Sequence, residues 1–95
     1  MQTYRSQVKI VVDVLTSANA PGADAEGVGI THLLRRANLS YTRLLGILSR
    51  LVDHGLLNET NLGRTQKYRI SDKGLKFLRA YGEFEEFTES FGLRV

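Results

Sequence analysis

The chain has 95 residues, 42% of them hydrophobic, with one proline and no cysteine. That describes one folded domain with a modest core. It excludes disulfides, thiolate zinc sites and a cysteine nucleophile, and suits a reducing compartment. The formal net charge of +3 is unevenly spread: residues 1–80 hold 12 Lys/Arg against 6 Asp/Glu, whereas residues 81–95 hold only Arg94 against four glutamates. A basic body attracts polyanions, nucleic acid foremost, although the same charge also serves to solvate an ordinary surface.

Residues 4–18 place Tyr4, Val8, Val11, Val12 and Leu15 on one helical face. Ile10 and Val14 form a second face, to be covered by the C-terminal helix of this chain or of another. Pro21, Gly22, Gly27 and Gly29 break 19–29 into a loop that is long for a compact domain, with Val28 and Ile30 as a short strand edge. A short helix over 31–37 takes Thr31 as its cap, buries Leu33, Leu34 and Ala37, and ends at Asn38.

Ser40 then caps a longer amphipathic helix over 40–54, and Gly55 ends it in the left-handed conformation. Leu44, Leu45, Leu48, Leu51 and Val52 form its apolar stripe. Thr42, Arg43, Gly46, Ser49 and Arg50 form the opposite face. Two helices joined by so tight a turn make a helix-turn-helix.

Residues 56–60 and 66–70 read as the strands of a hairpin that turns over 61–65, with Gly63 at positive φ. Tyr68 and Ile70 face inward, and Arg64, Lys67 and Arg69 occupy the tip and outer face. Ser71 caps a last helix of about 20 residues, with Asp72 in its first turn. Leu75 and Leu78 point to the core. Phe77, Tyr81, Phe84, Thr88 and Phe91 recur at alternating four- and three-residue steps, a heptad stripe that Phe87 widens.

The segments ANLSYTRLLGILSRLVDHGLL (37–57) and YRISDKGLKFL (68–78) resemble those of small winged-helix regulators and chromatin-type DNA-binding proteins common in archaea. The resemblance covers nearly the whole chain. It implies a mainly α fold with a β-hairpin wing: a winged helix-turn-helix DNA-binding domain over 1–72 and a C-terminal dimerisation helix over 73–95. It also implies an antiparallel homodimer and binding to double-stranded DNA. The chain departs from the family pattern in its longer 19–29 loop and in a shorter C-terminal helix weakened by Gly82 and Gly92.

On this reading, affinity rests on Arg35 and Arg36 beside the turn, Arg43 and Arg50 on the recognition helix, and Arg64 and Lys67 on the wing, chiefly as phosphate contacts. Thr42 and Arg43 lie where base edges come within reach, Arg43 being suited to guanine O6 and N7. Ser40 serves mainly as the cap. Tyr41 stacks, bonds a phosphate or packs on the preceding helix. Gly46 admits close approach of DNA, and Ile47 either meets a thymine methyl or is partly covered. Arg69, Lys73, Lys76 and Arg79 read as surface charge, the last three facing tail glutamates or solvent.

Phe77, Tyr81, Phe84, Phe87 and Phe91 are the dimerisation candidates. His32 and His54 lie 22 residues apart without a partner at helical spacing, so no metal or cofactor is expected. No catalytic signature is present, so no enzyme activity is expected. No apolar run approaches the roughly 20 residues of a membrane span. Asp13 interrupts the apolar stretch after Arg5 and Lys9, against a signal peptide.

The expected protein is cytoplasmic and nucleoid-associated: a homodimeric transcriptional regulator with sequence-specific or semi-specific DNA binding. Its helix 40–54 lies in the major groove, with the wing 61–67 on the backbone or minor groove. The alternatives are a winged-helix protein-interaction module without DNA binding, or a non-specific chromatin-type protein.

Overall fold

The computed structural model describes residues 6–19, 27–63 and 65–93. The elements are α1 (Gln7–Ala18), β1 (Val28–Gly29), α2 (Ile30–Ala37), α3 (Tyr41–Asp53), β2 (Leu57–Leu62), β3 (Thr65–Ile70) and α4 (Asp72–Glu89). The three strands form an antiparallel sheet in the order β1-β3-β2. Tyr4 and most of the 19–29 loop lie outside the described residues.

Ser6 caps α1, its hydroxyl accepting the Lys9 N–H at 3.1 Å. The helix packs against α2, β3 and α4, so it is covered on more than one side. Val12 and Leu15 of the expected first face are buried, as are Ile10 and Val14 of the second, and the expectation fails at Val8. Ala18 is also buried, Val11 is half-buried, and Val8 remains 51% exposed. A helix touched by three elements buries most of its circumference.

Pairing of Val28 with Tyr68 delivers the chain directly from β1 into α2, with Gly29 at the cap position. Thr31 therefore lies inside the helix and does not cap it, contrary to expectation. Leu33 and Ala37 are buried. Asn38 ends α2 in the left-handed region (φ 55°, ψ 55°), and two residues later Ser40 caps α3 by accepting the Arg43 N–H at 3.2 Å. The tight turn expected between the two helices is thus present.

Leu44, Leu48 and Leu51 are buried as expected, Val52 is half-buried, and Leu45 sits at the edge, 37% exposed. Gly55 (φ 79°) ends α3, where Leu56 N–H reaches the Leu51 carbonyl at 2.8 Å and Gly55 N–H reaches Val52 at 3.0 Å. These are the two bonds of a Schellman closure. The start of α4 locks it: Ser71 donates to the Gly55 carbonyl, and Lys73 Nζ donates to the His54 carbonyl at 2.8 Å. Lys73 is therefore not a tail-facing surface charge. It supplies a cation where the α3 dipole is negative.

The hairpin register runs from Leu57 opposite Ile70 to Leu62 opposite Thr65. Pairing persists to Leu62 and Thr65, so the strands extend into the expected 61–65 turn. Gly63 has the anticipated positive φ, at 63°. Tyr68 lies on the central strand and is 4% exposed. Its hydroxyl donates to Glu59 Oε2 at 3.2 Å, and the Gln66 amide donates to the same oxygen. Burial, then the Glu59 charge and hydrogen bond, push the Tyr68 phenol up to about 12.

Ser71 caps α4 by accepting the Gly74 N–H at 3.0 Å. Gly74 lets the helix settle against the hairpin: a methyl group there would strike the Leu56 carbonyl and lie 2.6 Å from Ile70 Cγ1. Phe77 and Leu78 pack on the core, whereas Leu75, expected to do so, is 39% exposed. The helix ends at Glu89 with Ser90 as cap, so Phe91 follows the helix rather than lying within it. Among the described residues, no helix is long and apolar enough to cross a membrane.

Candidate nucleic-acid interface

The outer face of α3 is assembled as its periodicity requires. Tyr41, Thr42, Arg43, Gly46, Ser49 and Arg50 are exposed. The buried leucines fix the rotation of the helix and turn these residues out together. Arg43 and Arg50 are seven residues apart, two turns on one face and about 10 Å along the axis. Between them a methyl group at Gly46 would meet no atom within 4 Å, so the surface there is low and open. Arg35 and Arg36 are exposed in the last turn of α2. Among the described residues, none of these four arginines is ion-paired.

A cleft of about 260 Å³ runs along one side of this face. Thr42, Arg43, Gly46 and Arg50 form its α3 wall, and Gln7, Ile10 and Val11 supply the α1 wall. Ile47 belongs to the cleft and packs partly on the core, which favours its reading as a partly covered residue. Sequence patterning gave no sign that Gln7 and Val11 reach this face, because the approach of α1 to α3 is a long-range contact.

Arg43 stands in the first turn of α3, at the positive end of the helix dipole, and Arg50 in its last turn. The C-terminal half of α3 adjoins a second hollow of about 150 Å³ lined by Ser49, Asp53, Glu59 and Tyr68. The arginine face suits a polyanion, whereas the hollow beside it, with Asp53 and Glu59, does not. Ser40 is exposed beside the start of α3, its side chain used as the cap. On the hairpin, Lys67 is half-buried opposite Thr60 and Arg69 is exposed. Arg64 lies outside the described residues. His54 caps the far end of α3, its Nδ1 2.8 Å from the Arg50 carbonyl.

The outer half of α4 exposes aromatic surface. Phe84, Phe87 and Phe91 are 54%, 62% and 66% exposed, and the last two rings meet edge to face at 5.1 Å. Tyr81 is half-buried, and Phe77 is held against the core of its own chain.

The sequence pattern of the winged helix-turn-helix family matches residues 4–89. The chain belongs to that family. Its fold is similar to that of Sso10a-2, a DNA-binding protein from Sulfolobus solfataricus: 25% identity, TM-score 0.76, with 92% of this chain and 85% of that one covered. It is also similar to AF1382 from Archaeoglobus fulgidus, at 20% identity and a TM-score of 0.69 over 88% and 91% of the two chains. A third similar structure is TubR from Bacillus thuringiensis serovar israelensis, bound to 24 bp of tubC, at 18% identity and a TM-score of 0.66 over 85% and 98%. No curated protein matches the sequence.

In this winged helix-turn-helix protein, α2 and α3 form the helix-turn-helix and β2–β3 the wing. α3 occupies the recognition position. β1 extends the wing into a three-stranded sheet.

Proposed function

We propose that this winged helix-turn-helix protein binds double-stranded DNA as a homodimeric transcriptional regulator, with α3 in the major groove and the hairpin on the backbone or minor groove. The observation that carries this reading is the face of α3, where Arg43 and Arg50 stand exposed and unpaired on either side of the open surface at Gly46, with Arg35 and Arg36 exposed nearby. Unpaired arginines gathered on one face suit phosphates and guanine edges. The DNA-binding description of Sso10a-2 and the DNA-bound state of TubR support the same reading.

Thr42 and Arg43 read bases. Arg35, Arg36, Arg50, Lys67 and Arg64 hold phosphates, joined by Ser40 and Tyr41 at the helix start, and Gly46 allows the close approach. The second copy is bound through Phe84 and Phe87 of α4 and Phe91 just beyond its end, with Tyr81 beside them; Phe77, packed on its own core, is not available to it. The charge order of α4 supports an antiparallel pair. Lys73, Lys76 and Arg79 occupy its first half and Glu83, Glu85, Glu86 and Glu89 its second. Antiparallel pairing about Phe84 sets Arg79 of one copy near Glu89 of the other, whereas parallel pairing sets each charge beside its own copy.

A fluorescence titration against a pool of duplexes tests the base-reading role. Arg43→Ala should change the sequence preference, losing roughly 1–3 kcal/mol of discrimination at one base pair. Arg36→Ala should weaken all duplexes alike. Equal, uniform losses in both variants would favour a non-specific chromatin-type protein. Absence of duplex binding at low salt would favour a protein-interaction module.

A further inference from the structure

We infer that the cleft between α1 and α3 binds a compact aromatic monocarboxylate, and that ligand and DNA exclude one another there. The floor is apolar: Ile10 and Leu51 are nearly fully buried, and Val11 and Ile47 are half-buried. The polar and cationic lining comes from Gln7, Thr42, Arg43 and Arg50. Among the described residues, no carboxylate lines the cleft.

These features select the ligand class. An apolar floor offers nothing to a bare phosphate or sulfate, and a cationic lining repels amines. An acid with a flat apolar body satisfies both, its ring on the floor and its carboxylate held by a planar guanidinium in a two-pronged contact. The volume of about 260 Å³ is just below that of ordinary small-molecule pockets, which limits the body to about one ring. Gly46 leaves the α3 wall without a side chain, so the ring can lie against backbone.

The consequence rests on the DNA-binding reading. Arg43 and Arg50 are the groups proposed to meet DNA, so a carboxylate on either removes cations from the interface and places an anion where phosphates must come. The cleft then acts as an effector site whose occupation releases DNA.

Backbone-amide NMR of the full chain, titrated with benzoate and separately with benzamide, tests the site. Benzoate should shift the resonances of Val11, Gly46 and Ile47. Benzamide, of the same shape without the charge, should bind at least about tenfold more weakly. Benzoate should also displace a labelled duplex over the concentration range in which it fills the cleft. Val11→Phe, which fills the cleft from the α1 side, should abolish the benzoate shifts while duplex binding persists. Should Val11→Phe not fold, Val11→Leu should show the same loss in smaller measure.

Shifts that are absent, that fall elsewhere, or that are equal for benzamide overturn the site. A ternary complex of benzoate, protein and duplex overturns the exclusion. Benzoate binding at the cleft by a protein that binds no duplex supports the site and instead overturns the DNA reading.

Discussion

Gly74 and Gly82 lie eight residues apart on α4, and replacement by alanine should act on them with opposite sign. At Gly74 the new methyl meets the Leu56 carbonyl and Ile70 Cγ1. Overpacking of this kind costs about 1–3 kcal/mol, more than the helix propensity that alanine regains. At Gly82 the methyl meets nothing within 4 Å. Gly82→Ala should therefore stabilise the fold by up to about 1 kcal/mol, and urea unfolding of the two variants beside the parent reads both changes. The K-G step of YRISDKGLKFL is visible as a motif, but its reason is not, since it lies in a contact with Leu56 and with Ile70 of β3.

Tyr68 makes a second single-residue prediction. Its phenol is pushed up to about 12, while in the unfolded chain it titrates near 10. Below pH 10 both states keep the proton and the contribution is complete. Between pH 10 and 12 the unfolded chain ionises and the folded one does not, so stability falls by at most about 1.4 kcal/mol per pH unit. Tyr68→Phe should remove that part of the slope, which urea melts at pH 9 and 11 would show.

Among the elements, those set by local periodicity and capping were the most legible. Ser40, Gly55, Ser71 and the Leu44–Leu48–Leu51 stripe act in the structure as their spacing indicated. The misreadings came where tertiary contacts decide. α1 leaves Val8 exposed, α2 starts a residue early because β1 feeds it, and Lys73 turns back to α3. At the candidate interface the arginines were legible from the wheel of α3, but the cleft beside them was not.

The exposed stripe on α4 carries its own prediction. Phe84→Gln with Phe87→Gln should give a monomer by sedimentation, and a variant sedimenting like a dimeric parent would remove the stripe as the interface. Orientation is separately measurable because the chain has no cysteine. A spin label on Ser90→Cys sits about 10 Å from its mate if the helices are parallel. Antiparallel helices crossing near Phe84 separate the two labels by about 18 Å along the axis. The longer distance is expected.

For the whole molecule, dimerisation and DNA binding should be linked through salt. Each phosphate neutralised contributes about −0.9 to the slope of log affinity against log salt. Arg35, Arg36 and Arg50 alone contribute about −2.7 for one protomer and about −5.4 for two. The Phe84→Gln, Phe87→Gln variant leaves every one of these arginines in place and removes only the second copy. It should bind duplex more weakly, with about half the parent's salt slope, and lose any preference for half-sites about 10 bp apart or a multiple of that spacing. A monomeric variant that kept the full slope would place all the phosphate contacts within one protomer, and α4 would then have no part in positioning the protein on DNA. A halved slope with an unchanged base preference would separate the two roles: α3 reads the sequence within each half-site, and the aromatic helix sets the distance between them.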